Sequence, residues 1–304
     1  MIDRRTLLSG AAAATLLAGV DHPTAAAAAP GSAVDTGSAS PWSSRGTVRR
    51  AGGVIGYAIA GQGPTLVAMP KLGGWIDDWA PLARELARDH RLIAIDPPGH
   101  GSSEMLGEPP TVQTLAESAA MVRAAIEELE LTDFVLMGNS LGGCIAAAMA
   151  GLWPKLATHL VLISVAVYAK DPLAKIIADQ ANADPPIYAP NGDPLPRTRE
   201  TAMGRFNMSA AFTDEMNRSR MAAGRWIRAS ERGVRSEGLA DLVQRIEVPT
   251  LLVYSDSGTY LRHRITAEKL LRNHRTVTVP DAGAFIHQEK PAETARAIRE
   301  FLHA

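Results

Sequence analysis

The residues best suited to do chemistry lie around a serine at the apex of a glycine-flanked turn. Gly138-Asn139-Ser140-Leu141-Gly142 follows an apolar run, 134–137, and leads into small and apolar residues, 143–152. This order predicts a strand, a sharp turn and a helix, with Gly138 and Gly142 leaving room where strand and helix approach. Such a turn lifts the Ser140 hydroxyl out of the sheet and sets the first amides of a helix beside it, where negative charge is favoured. The chemistry this suits is acyl transfer with Ser140 as nucleophile. The plainer alternative is a strand–helix turn whose glycines only serve packing. Cys144, the single cysteine, falls one helical turn later and reads as a small core residue, not a second nucleophile.

The elements that must position this serine alternate along the chain. Apolar runs predict strands over 54–60, 65–69, 91–95, 159–165, 250–254 and 275–279. Helical spacing predicts helices over 79–89, 111–129, 266–271 and 291–302, the last opened by Pro291. Alternation of this kind implies an α/β fold: a mostly parallel central sheet with helices on both faces. Ligands of such sheets bind at the carboxyl ends of the strands, where Ser140 and the loops after Met69 and Ile95 fall. Residues 165–248 break the alternation with six prolines between Pro172 and Pro196, then helical stretches near 212–226 and 238–246. They predict a helical cap inserted between strands, which would shape a pocket and exclude water.

Several stretches together resemble the α/β-hydrolase family, in its branch with a helical cap. They are Gly61-Gln62-Gly63-Pro64, the run DPPGHGSS from Asp96 to Ser103, GNSLGG, and the ending AGAFIHQEKPAETARAIREFL. The resemblance spans about 46–302. It implies a serine hydrolase, but the fold hosts esterases, lactonases, peptidases, C–C bond hydrolases and lyases. It also exposes two departures. The family's catalytic histidine position holds Ala284, and its acid position, in the loop Ser255-Asp256-Ser257-Gly258, holds Gly258. The histidine–glycine pair that usually ends the oxyanion strand is Met69-Pro70. The amides of Leu141 and Lys71 still suit an oxyanion hole, since neither residue is proline.

An unactivated serine hydroxyl is a weak nucleophile, and loss of a triad histidine costs on the order of a million-fold in turnover. Replacement groups therefore matter. His287, three residues after Ala284, is the expected substitute base, and Asp256, two residues before Gly258, the expected acid. His100 reads as a turn-stabilising residue and His263 as a surface helix position. Ser164, where some family members place another acid, cannot serve. The expected substrate is a small, mostly apolar ester or lactone. The alternative is a catalytically impaired relative that keeps the pocket to bind a small apolar ligand.

The N-terminus reads as an export leader. Residues 1–29 carry Arg4-Arg5, an apolar Ala-rich run, 6–20, and small-x-small cleavage options, resembling a twin-arginine signal. Residues 30–45 read as a flexible linker and 46–304 as the hydrolase domain. The expectation is a bacterial protein that is periplasmic or secreted, with no stable membrane insertion after cleavage. A formal net charge of -1 gives no case for nucleic acid as partner. The expected partner is a small-molecule substrate. No HExxH, paired CxxC, GxGxxG or P-loop pattern occurs, so neither metal nor cofactor is expected.

Overall fold

A computed structural model describes residues 39–304 apart from 51 and 209. The leader, 1–29, and the linker up to residue 38 lie outside the described residues. Eight strands form one sheet in the order β1-β2-β4-β3-β5-β6-β7-β8. They are β1 (Ser44–Arg50), β2 (Gly53–Ala60), β3 (Thr65–Met69), β4 (Arg91–Ile95), β5 (Phe134–Asn139), β6 (His159–Ile163), β7 (Thr250–Ser255) and β8 (His274–Val279). The pairs β1·β2 and β2·β4 are antiparallel, and from β4 to β8 every pairing is parallel. The α/β class and the mostly parallel sheet expected from the sequence are therefore present.

Central strands are buried on both faces, which is why they read as unbroken apolar runs: all six residues of β5 and of β7 are buried. Helices α1 (Ala80–Leu86), α2 (Leu115–Glu128) and α3 (Leu141–Leu152) follow β3, β4 and β5. Thr114 caps α2 through a reciprocal bond pair with Glu117, so the helix starts four residues later than periodicity alone suggests. Two apolar layers flank the sheet. One is built on α2 and α3 (Val122, Ile145, Met149). The other is built on α1 and the terminal helix (Leu82, Leu86, Ile298).

Between β6 and β7 the chain leaves the sheet through α4 (Leu173–Ala181), α5 (Arg199–Phe206), α6 (Ala210–Ala223), α7 (Trp226–Glu237) and α8 (Ala240–Val243). This is the excursion expected over 165–248. The chain returns through α9 (Leu261–Leu270), α10 (Ile286–Glu289) and α11 (Pro291–Leu302). Helix α9 begins five residues earlier than the sequence suggested. That shift carries Tyr260 to the start of the helix and buries His263, whose Nδ1 donates to the Val167 carbonyl (3.1 Å) rather than facing solvent.

Candidate active site

Ser140 stands between β5 and α3 with φ 50° and ψ −112°, a left-handed backbone that side-chain-bearing residues rarely adopt. What holds it there is close packing on both sides. A Cβ on Gly138 would overlap the Gly142 carbonyl, and one on Gly142 would overlap the Met69 carbonyl oxygen. The Gly142 amide donates to Pro70 O at 3.0 Å, tying the start of α3 to the loop after β3. These contacts bring together the two segments that carry the expected oxyanion amides. Leu141 opens α3, so its N–H has no partner within the helix. Lys71 sits on the adjoining loop, and both residues line the same cavity as Ser140.

The serine's partner is Tyr260. The Ser140 Oγ and Tyr260 Oη lie 2.7 Å apart, a hydrogen bond in which either can donate. Burial pushes the Tyr260 phenol up to about 12, against the lowering effect of its bond to Ser140, so it stays protonated at neutral pH. Tyr260 comes from the loop after β7, the same loop in which the family resemblance expects an acid. Gly258 there has φ +88° and open space around it.

The structure does not bring His287 or Asp256 to the serine. His287 is fully buried on α10, its ring 4.4 Å from that of Trp79, and neither ring nitrogen has a hydrogen-bond partner. Burial, reinforced by the positive charge of Lys71, holds its imidazole well below the ordinary histidine range, hence neutral. A base must reach the proton it removes, and among the described residues this ring makes no hydrogen bond. The physical reason is the packing of α10 into the layer beneath the sheet, which turns the side chain toward Trp79. Asp256 is exposed on its loop. At the family's histidine position, Ala284 is buried among cap residues, including Met208 and Met216. Its amide donates to Phe206 O at 2.8 Å.

Beneath the oxyanion loop lies a buried charge pair. Lys71 Nζ donates to Asp78, which also accepts from Gln288 Nε2 at 3.1 Å. Lys71 further sits over the Phe285 ring, 5.0 Å from its centroid. Burial raises the Asp78 carboxyl, and Lys71 opposes that rise. Asp96, at the end of β4, is pushed up to about 7 by burial although it accepts from the Ile76 and Ser102 amides and the Ser102 hydroxyl. His100 is the turn residue expected: its Nδ1 pairs with Pro98 O at 3.0 Å, and burial holds it down to about 4. Cys144 is buried and its thiol is pushed up to about 12, so it carries no thiolate.

A cavity with an open mouth lies over Ser140. Its floor comes from the sheet ends and its wall from the cap. A match to the alpha/beta hydrolase family model covers residues 72–297, most of the chain. The chain belongs to the α/β-hydrolase family. Among its relatives, a pyrrolizixenacetamide deacetylase of Xenorhabdus hominickii is 27% identical over 260 residues, covering 82% of this chain and 94% of that protein. In solved structures the same architecture recurs in an enol-lactonase from Burkholderia xenovorans (TM-score 0.67, 18% identity, 83% of this chain and 97% of that one). It recurs again in a thermophilic esterase from Thermogutta terrifontis (TM-score 0.69, 20% identity, 86% and 98%). At these identities the two structures speak to fold. Within the family, this chain replaces the expected serine–histidine contact with a serine–tyrosine one. Sequence reasoning passed over Tyr260, whose only signal was its place two residues beyond Gly258.

Proposed function

We propose that this α/β-hydrolase cleaves a small carboxylic ester or lactone with Ser140 as nucleophile and Tyr260 as its proton relay. The observation that carries the reading is the 2.7 Å hydroxyl pair at the strained turn, facing the cavity. Ser140 Oγ attacks the acyl carbon, and the carbonyl π pair moves onto oxygen, held by the Leu141 and Lys71 amides. The serine proton passes to Tyr260 Oη, and the tyrosine's own proton passes to the leaving oxygen as its bond to carbon breaks. Water then attacks the acyl-serine, giving a proton to Tyr260 Oη as Tyr260 returns one to Ser140. A phenol with a raised pKa suits this exchange, since it gives one proton as it takes another and need never ionise. Without an imidazole, turnover is expected to be slow beside a complete triad.

The test is labelling of the wild-type protein by a fluorophosphonate, mapped by mass spectrometry. Modification at Ser140, abolished in Ser140→Ala, is expected; a folded protein that stays unlabelled defeats the proposal. A second reading, ligand binding without turnover, is favoured by the isolation of His287 and predicts that unlabelled outcome. Export is part of the same proposal. The Arg4-Arg5 leader would deliver a folded enzyme to the periplasm or exterior, and Arg4→Lys with Arg5→Lys should retain it in the cytoplasm.

A further inference from the structure

Among the described residues, the cap wall of the cavity carries more positive charge than its one carboxylate balances. Six charged residues line the space: Lys71, Arg197, Arg205, Arg220, Arg235 and Glu231. Lys71 is paired with Asp78, and Arg235 with Asp171 and Asp179. That leaves three arginines against one carboxylate. Glu231 is engaged by neutral donors, Tyr188 Oη at 2.5 Å and Gln180 Nε2 at 3.1 Å. Among the described residues, Arg197, Arg205 and Arg220 have no carboxylate within ion-pair distance.

Arg220 is the most telling of the three. It is 4% exposed, and its Nε has no hydrogen-bond partner. A buried guanidinium with an unmatched N–H is costly unless something meets it. Its stem packs on Gly73 of the oxyanion loop, where an added Cβ would come 2.7 Å from Arg220 Cγ, so the guanidinium rises from directly above that loop. Arg197 and Arg205 both flank the Phe206 ring, at 5.2 and 5.3 Å from its centroid. The Arg197 backbone is clamped to α6 by both ends of the Asn217 amide. All three side chains line the one cavity, and burial, together with the charges of Arg220 and Arg205, holds the Arg197 guanidinium down to about 10.

Like charges are gathered this way where an oppositely charged ligand is to be met. We infer that the cavity takes a doubly charged anion, specifically an ester or lactone bearing two carboxylates, on Arg197, Arg205 and Arg220. The two charges follow from the surplus of three arginines over Glu231, and carboxylates match the planar guanidinium fork. This replaces the apolar substrate expected from sequence, and it rests on the hydrolytic reading only for the scissile bond.

The experiment is calorimetric titration of Ser140→Ala at low ionic strength with glutarate, phthalate, butyrate, glutaramide and inorganic phosphate. The two dicarboxylates should bind at least about tenfold tighter than butyrate, with glutaramide silent. Arg220→Leu should weaken them at least about tenfold again. If Arg220→Leu does not fold, the more exposed double variant Arg197→Gln with Arg205→Gln should show the same loss. Equal binding of glutaramide, tighter binding of phosphate, or dicarboxylate binding that ignores the arginine changes overturns the inference. Dicarboxylate binding with no labelling of wild-type Ser140 removes the hydrolytic reading alone. Labelling without dicarboxylate binding removes this inference alone.

Discussion

The floor and the cap wall of the cavity treat charge in opposite ways. On the floor the ionic groups are closed on each other: Lys71 against Asp78, with Gln288 completing the set. What the floor offers a ligand is neutral, two hydroxyls and the amides at the start of α3 and on the β3 loop. The cap wall supplies uncompensated guanidinium groups on α5, α6 and the segment before them. The difference teaches a division of labour. The sheet ends hold the groups that would meet a reacting carbonyl, and the inserted helices hold those that would choose which molecule arrives. Changes to the floor should therefore alter rate or stability whatever the substrate's charge, and changes to the wall should alter binding of anions.

The largest effect should follow from opening the buried pair. Lys71→Met leaves the Asp78 carboxylate buried without its cation, while the backbone amide at position 71 remains. A loss of about 3–5 kcal/mol in urea unfolding is expected. A loss under about 1 kcal/mol would mean the floor pair is no more than a surface-like contact. Next comes Tyr260→Phe, which keeps the ring and removes the relay. The fluorophosphonate labelling rate should fall about a hundredfold. An unchanged or faster rate would show that the phenol restrains Ser140 and does not serve it.

His287→Leu should leave labelling within about twofold, since the ring makes no polar contact, and truncating an unpaired buried group is often close to neutral. A collapse of labelling would return His287 to the site. The same variant changes pH dependence. Folding holds this imidazole below its unfolded value of 6.5, so below about pH 6.5 the unfolded chain binds a proton the folded one does not, and stability falls as pH falls. His287→Leu should flatten that acid-side decline. Asp96 acts in the opposite sense. Its folded value of about 7 exceeds the ordinary carboxyl value of 3.8, so between those values the folded state holds the extra proton, and stability falls as pH rises. Asp96→Asn should remove that slope, read as the difference from wild type across the window.

The floor was far more legible in the sequence than the wall. Strands β3 and β4 and helix α11 match the predicted bounds because each is a continuous apolar run or opens at a proline. Ser140, Leu141 and Lys71 could be placed because a glycine-flanked turn constrains backbone, and backbone constraint leaves a mark in residue type. Strand β1 was read partly as linker because this edge strand, Ser44–Arg50, buries only Val48 and carries no apolar pattern. Helix α7 carries no clear mark in the sequence although strongly amphipathic, because its apolar positions (Ile227, Ala229, Val234) are spread among five charged residues. His287 and Asp256 were chosen for residue type and proximity in sequence, and neither criterion encodes which way a side chain points. Tyr260 depended on α9 starting at Leu261 rather than Thr266. The arginine cluster depended on tertiary packing of helices from different parts of the cap, which no local pattern records.

The bond from the Gly142 amide to the Pro70 carbonyl has a further meaning for timing. It fastens helix α3 to the β3 loop with contacts that belong wholly to the sheet side of the cavity. The two amides that would receive an oxyanion are thereby set at folding, before any ligand enters. Variation in the cap can then retune which anions are admitted while the anion-receiving corner keeps its shape.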